Sequence, residues 1–137
     1  MNRLLIIVAI IAVVLVVGGM LVLRFVTGSN AEVEENPILV PLDKEILTNL
    51  SNDGNVFHYI KVSVSLEVVN NRAAEIVKAE MPKIRDEIIS VFNGTRISDL
   101  STPNGIELVK ARLIERLNSL LNAKLIRKIL FTDMVLQ

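Results

Sequence analysis

The chain has no cysteine and no tryptophan, and only one histidine and one tyrosine in 137 residues. Without cysteine it has no disulfide, no thiolate-bound metal and no thiol nucleophile. The single histidine, His58, leaves out metal sites built on several imidazoles and mechanisms that use two of them. Net charge is missing as well, because 15 Lys+Arg cancel 15 Asp+Glu. A nucleic-acid binder shows a basic excess or stripe to meet phosphate, so no nucleic-acid partner is expected. Glycine-rich phosphate loops, a G-x-S-x-G elbow and an H-E-x-x-H pair are all absent. No reactive set converges. His58 stands alone between Phe57 and Tyr59, and carboxylates such as Asp86-Glu87 read as solvated helix faces. The sequence therefore implies no enzyme, cofactor, metal or small-molecule substrate.

What is plentiful is aliphatic side chain: 51% of residues are apolar and only 4% aromatic, with a mean hydropathy of +0.50. The excess sits at the front. Leu4 to Leu23 reads LLIIVAIIAVVLVVGGMLVL, and fifteen of these 20 residues are Leu, Ile or Val. As a helix, 20 residues span about 30 Å, the thickness of a hydrocarbon core. At about −0.3 to −0.6 kcal/mol for each such residue, insertion is favoured by up to about 5 to 9 kcal/mol. The run predicts a transmembrane helix over 4–26 in a lipid bilayer, after a cytoplasmic stub of residues 1–3. A cleaved signal peptide would have a shorter apolar core and small residues after it. Here Arg24, Phe25 and Val26 follow, which favours an uncleaved anchor. Arg3 and the free amine precede the span. Beyond it Arg24 stands alone before Glu32, Glu34 and Glu35. This bias puts the N-terminus inside and the rest outside the cytoplasm. Gly18 and Gly19 permit close approach of a second membrane helix, although glycine is also common in membrane spans for no such reason.

Residues 27–36 (TGSNAEVEEN) are polar, small and acidic, and read as a tether. Residues 37–137 make one domain. Ile38–Leu50 is an extended segment broken by Pro37 and Pro41. Ser51-Asn52-Asp53-Gly54 is a turn. In Val56–Val69, the apolar set Val62, Val64, Leu66 and Val68 alternates with Lys61, Ser63, Ser65 and Glu67, which predicts a strand buried on one face. The two segments suggest a hairpin. Asn70 or Asn71 caps a helix that starts near Arg72 and follows the stripe Val77, Met81, Ile84, Ile88, Val91. Pro82 lies within that stripe, so a bend is expected there, with Asn93-Gly94 closing the helix. Asn93-Gly94-Thr95 also matches a glycosylation sequon, but the helix cap accounts for it. Thr102-Pro103 starts a second helix with the stripe Ile106, Val109, Leu113, Leu117, Leu120. Lys124–Leu136 is a last strand, apolar on both faces toward its end, which suggests an interior position. Asp133 in that strand reads either as an outward residue or as a buried, partner-facing carboxylate. The expected order is β-β-α-α-β, an α+β layer with helices on one face of the sheet.

Several stretches resemble one family. Tyr59-Ile60-Lys61-Val62-Ser63-Val64-Ser65-Leu66-Glu67 resembles its "hYIKV.h.LE" strand. Pro82-Lys83-Ile84-Arg85-Asp86-Glu87-Ile88-Ile89 resembles its "P.IRD.II" helix. Asp99-Leu100, Gly105 and Leu117–Leu121 match its second helix. Phe131-Thr132-Asp133-Met134-Val135-Leu136-Gln137 is similar to its "FT.FV.Q" ending, with Met134 where an aromatic is usual. With one short stub and one span, the whole chain resembles the flagellar basal-body family FliL. The resemblance implies a non-catalytic protein anchored in the cytoplasmic membrane, with an outer domain of the stomatin (SPFH) type. It also implies a homo-oligomeric ring and association with flagellar stator units, the ion-driven torque generators. On that reading Pro82 is a bend used in packing or ring contacts, and the tether lies beside the stator. The alternative is a stomatin-type membrane scaffold unrelated to motility.

Overall fold

The computed structural model describes Arg3, Ile7 and residues 36–137 except Asp53 and Asn55. The expected membrane helix, with Leu4, Gly18, Gly19, Leu23 and Arg24, therefore lies outside the described residues, as does the tether up to residue 35. Arg3 is helical and exposed. No helix among the described residues is long and apolar enough to cross a membrane. In chain order the elements are β1 (Ile38–Pro41), β2 (Ile46–Asn49), β3 (Tyr59–Val68), α1 (Asn71–Ala79), α2 (Met81–Asn93), α3 (Ile97–Leu100), α4 (Pro103–Leu120) and β4 (Ile126–Leu136).

The alternation in β3 sets the layers. Ile60, Val62, Val64, Leu66 and Val68 are buried, while the residues between them face the other way. All pairing in the sheet is antiparallel and runs through β3. On one side β3 takes both β1 and β2, with Val40 opposite Leu66 and Ile46 opposite Val62. The expected hairpin is β2–β3, and Gly54 in its connection has φ 76°, a left-handed conformation that glycine adopts freely. The broken segment is resolved into two strands, because Asp43–Glu45 take up a register slip between them. The Leu42 N–H donates to the Val64 carbonyl at 3.0 Å, so by alternation the Pro41 nitrogen faces the open edge, where no ladder bond is lost.

The last strand corrects the sequence reading. Among the described residues β4 pairs with β3 alone, and is therefore an edge strand, not an interior one. Its apolar residues divide between two different surroundings. Phe131, Met134 and Leu136 lean on the core from the inner side, while Val135 lies exposed on the outer side. Apolarity on both faces did not mean strands on both sides.

The helices cover the inner face of the sheet. The Asn70 side chain accepts from the Ala73 N–H at 2.8 Å and caps α1 as expected. The single bent helix predicted around Pro82 is instead two helices, separated at Glu80 (φ −93°, ψ 10°). Pro82 then falls in the first turn of α2, where its missing N–H has no intrahelical acceptor to lose. The stripe survives the break: Val77, Met81, Ile84, Ile88 and Val91 are all buried. The short α3 was not foreseen; the Asp99 carboxylate accepts from the Arg96 N–H at 3.2 Å and holds its start. For α4, Thr102 accepts from the Gly105 N–H at 3.1 Å, with Pro103 opening the helix as expected. Val109, Leu113 and Leu117 are buried beneath it, but Leu120 falls outside the core. At its end Asn118 turns to β4, accepting from the Leu125 and Ile126 N–H groups at 2.9 Å and donating to the Ile126 carbonyl at 3.0 Å. The observed order is therefore β-β-β-α-α-α-α-β in an α+β layer. Phe92 lies at its centre, tilted 47° against Phe131 with 5.9 Å between ring centroids.

Candidate functional site

The positions singled out from the sequence separate into three groups. Leu100 and Gly105 are packing residues of the α3–α4 corner: Leu100 is buried, and the Gly105 Cα faces the Asp99 carbonyl. Tyr59, Lys61, Thr132, Asp133 and Gln137 gather along β3 and β4. Tyr59 and Gln137 exchange two backbone hydrogen bonds, 2.7 Å and 3.0 Å, which bring the final residue into the ladder. Asp133 is exposed and opposite Ser63, so it is the outward strand residue of the two readings. Thr132 reaches the Ser63 carbonyl at 3.5 Å, beside a bulge. Phe131 belongs to the core instead, packed on Phe92 with the Lys110 ammonium 5.5 Å from its ring centre.

The third group lies on α2. Pro82, Arg85 and Asp86 border a shallow depression shared with Asp43 and Lys78. Arg85 is the working member. Its guanidinium donates to the Lys44 carbonyl at 2.5 Å and to the Glu45 carbonyl at 3.2 Å. A forked donor thus pins the slip between β1 and β2 to a helix. Glu45 in turn accepts from Lys61 Nζ at 2.9 Å. This hydrogen bond and the charge of Glu45, with a smaller contribution from Asp133, hold the Lys61 ammonium above the usual lysine value. A raised folded-state value makes the lysine's contribution complete at neutral pH, and that contribution is lost as pH rises through the alkaline lysine range. Replacing Arg85 with alanine is expected to lower stability by about 1 to 2 kcal/mol, the worth of two bonds from a charged donor. Arg85→Lys, which keeps the charge but not the fork, should recover less than half of that in thermal melts.

Lys61 sits in the middle of the outer sheet face, which carries no helix among the described residues. Leu47, Lys61 and Val135 stand opposite one another in one row across three strands. Leu47 is 70% exposed and Val135 49%, with Tyr59 in the next row and Phe57 beyond it at 62%. Sequence reasoning missed Leu47, Phe57 and Val135 as surface residues. The available signal was parity: Ile46 and Leu47 are both apolar, yet adjacent residues of a strand face opposite ways. Chemically the face offers apolar contact around a few charges. No group of three His, Asp or Glu that could hold a metal exists among the described residues. His58 is half-buried where the chain enters β3. Thr95 of the sequon is fully buried, and its hydroxyl donates to the Val91 carbonyl at 2.7 Å, so its role is structural.

The profile of the family described as flagellar basal body-associated protein FliL matches residues 39–137, from β1 to the end of β4. The chain belongs to the FliL family. It is 32% identical over 100 residues to a flagellar protein FliL of Aquifex aeolicus (strain VF5), covering 73% of this chain and 62% of that one. Over 94 residues it is 27% identical to a flagellar protein FliL of Bacillus subtilis (strain 168), covering 69% of this chain and 64% of the relative. The match thus spans a little under two thirds of each relative. Within the FliL region all three groups are present: the corner at Gly105, the Arg85 clamp and the outer face around Lys61.

Proposed function

We propose that this chain is a non-catalytic accessory protein of the flagellar motor that associates with stator units and supports motility. The family match over residues 39–137 carries this reading. An exposed, partly apolar sheet face suits it, since such a surface fits binding better than turnover. In this proposal residues 1–3 lie in the cytoplasm, 4–26 cross the membrane, 27–36 form a tether and 37–137 stand outside as a stomatin (SPFH)-type domain. Copies associate head to tail into a ring that flanks or encircles a stator unit. Tethering to one membrane raises the effective concentration of neighbouring domains, so weak contacts between them suffice. A head-to-tail contact closes into a ring when its rotation permits.

The test is deletion of the gene, with fluorescently labelled stator units followed at the motors. The expected result is reduced swimming and swarming with fewer stator units retained, both restored by complementation. Unchanged motility and retention would refute the motor role. In-cell crosslinking and imaging in nanodiscs test the ring separately; a monomer in both would refute it.

A further inference from the structure

The two edges of the sheet are not equivalent. The β1–β2 edge is interrupted by Pro41 and by the slip at Asp43–Glu45. The β4 edge runs on for eleven residues without a proline. Its exposed backbone groups can be assigned. Tyr59 exchanges both bonds with Gln137, and the Val69 N–H donates to the Leu125 carbonyl at 3.0 Å. Alternation between these ends directs the backbone of the odd-numbered residues of β3 toward β4. Their register partners Lys128, Leu130, Asp133 and Val135 are engaged there. The N–H and C=O groups of Ile126, Ile129, Phe131, Met134 and Leu136, partners of the even-numbered residues, therefore point to the open edge.

At the first of these positions the protein supplies its own partner. The Asn118 carboxamide accepts from the Ile126 N–H and donates to the Ile126 carbonyl. That is the pair of bonds a neighbouring strand would make. Past Ile126 the next open groups, those of Ile129, lie beside a groove between β4 and α4 floored by Ala111 and Ile114. A second hollow, around Ile114, Asn118 and Lys124, continues it toward the turn. An edge strand flanked by a helix, with an apolar trough between, is the arrangement that accepts an extended peptide as an added strand. The rim decides the character of the peptide. Lys110, Lys124 and Lys128 line the two hollows against Glu107 and Glu115, and Arg127 stands exposed next to Lys128. Two of the lysines have carboxylate neighbours, Lys110 with Glu107 at 2.7 Å and Lys128 with Glu67 at 3.7 Å. Four cations against the three carboxylates Glu67, Glu107 and Glu115 leave it basic by one charge.

We propose that the β4 edge and the α4–β4 groove bind an extended segment of a partner protein in which apolar and acidic residues alternate. The segment pairs with the open groups of β4, sets its apolar side chains over Ala111 and Ile114, and its acidic ones on the lysine rim. This stands on the geometry of the domain alone and does not depend on the motor reading.

The probe is a fluorescein-labelled ten-residue peptide of alternating valine and glutamate, with its valine–lysine counterpart as control. Binding to the full-length protein in nanodiscs is read by anisotropy at low salt, and amide hydrogen exchange locates it. The expected result is saturable binding of the acidic peptide only, with new protection confined to residues 126–137. Lys124→Glu combined with Lys128→Glu should weaken binding roughly tenfold. Met134→Pro removes an edge-facing N–H without touching the ladder to β3, so it should abolish the protection while leaving the melting profile cooperative. Equal binding of both peptides, protection on the outer sheet face, or indifference to both variants would overturn the proposal. So would protection of 126–137 by self-association before peptide is added, which makes a second copy the occupant.

Discussion

Gly105→Ala is expected to destabilise the domain by about 3 kcal/mol or more, the upper end of what overpacking a tight site costs. A methyl group on Gly105 would lie 2.1 Å from the Asp99 carbonyl oxygen and 3.0 Å from the Thr102 hydroxyl. The first obstacle is backbone, so no rotamer change relieves it. The second is the N-cap of α4, which accepts from this residue's own N–H. Asp99 and Thr102 flank the buried Leu100 in the chain, so moving either disturbs its packing. At roughly 4–8 °C per kcal/mol for a domain of this size, the melting temperature should fall by about 12 to 24 °C. Gly94→Ala is the control. Its nearest neighbour would be a carbonyl oxygen at 3.7 Å, with no positive φ to satisfy, so its effect should stay within about 1 kcal/mol. If the two variants melt together in circular dichroism, the close approach at the corner is wrong.

Phe92→Ala should cost about 3 to 5 kcal/mol, the range for removing a buried ring and leaving its cavity. Phe92 is fully buried near the C-terminal end of α2. Its ring meets Phe131, which in turn lies under the Lys110 ammonium. Phe131→Ala should cost less, because Phe131 is only half-buried. The double variant should lose less than the sum of the singles, by about 0.5 to 1.5 kcal/mol, the worth of a tilted aromatic pair. Denaturant unfolding of the four proteins measures this directly. A strictly additive result would mean that the rings fill volume without interacting.

Features that were legible in the sequence were local ones. Asn70 and Thr102 cap their helices because a short polar side chain reaches an N–H three residues on, which needs no tertiary information. The alternation of Val62, Val64, Leu66 and Val68 named the inner face for the same reason. Pro82 was misread because a proline inside an apolar stripe is compatible with a bend or with a fresh helix start. Only the backbone at Glu80 distinguishes them, and packing sets it. The edge position of β4 depends on how many strands flank it, which no single segment records. The candidate site was legible only in part. Lys61, Arg85 and Asp133 were marked by resemblance, but the Arg85 clamp joins residues about 40 apart. The row Leu47–Lys61–Val135 exists only once three strands are in register.

The pairing of β3 with β4 also has a temporal side. Ile60 waits for Leu136, and Val68 for Ile126. A chain emerging from the ribosome can close the short hairpin of β2 on β3 early, but half of the sheet's hydrogen bonding is withheld until the last dozen residues are free. Contacts this distant in sequence make folding slow and late. On the topology proposed above, that delay would keep β3 and β4 unpaired until β4 had crossed the membrane.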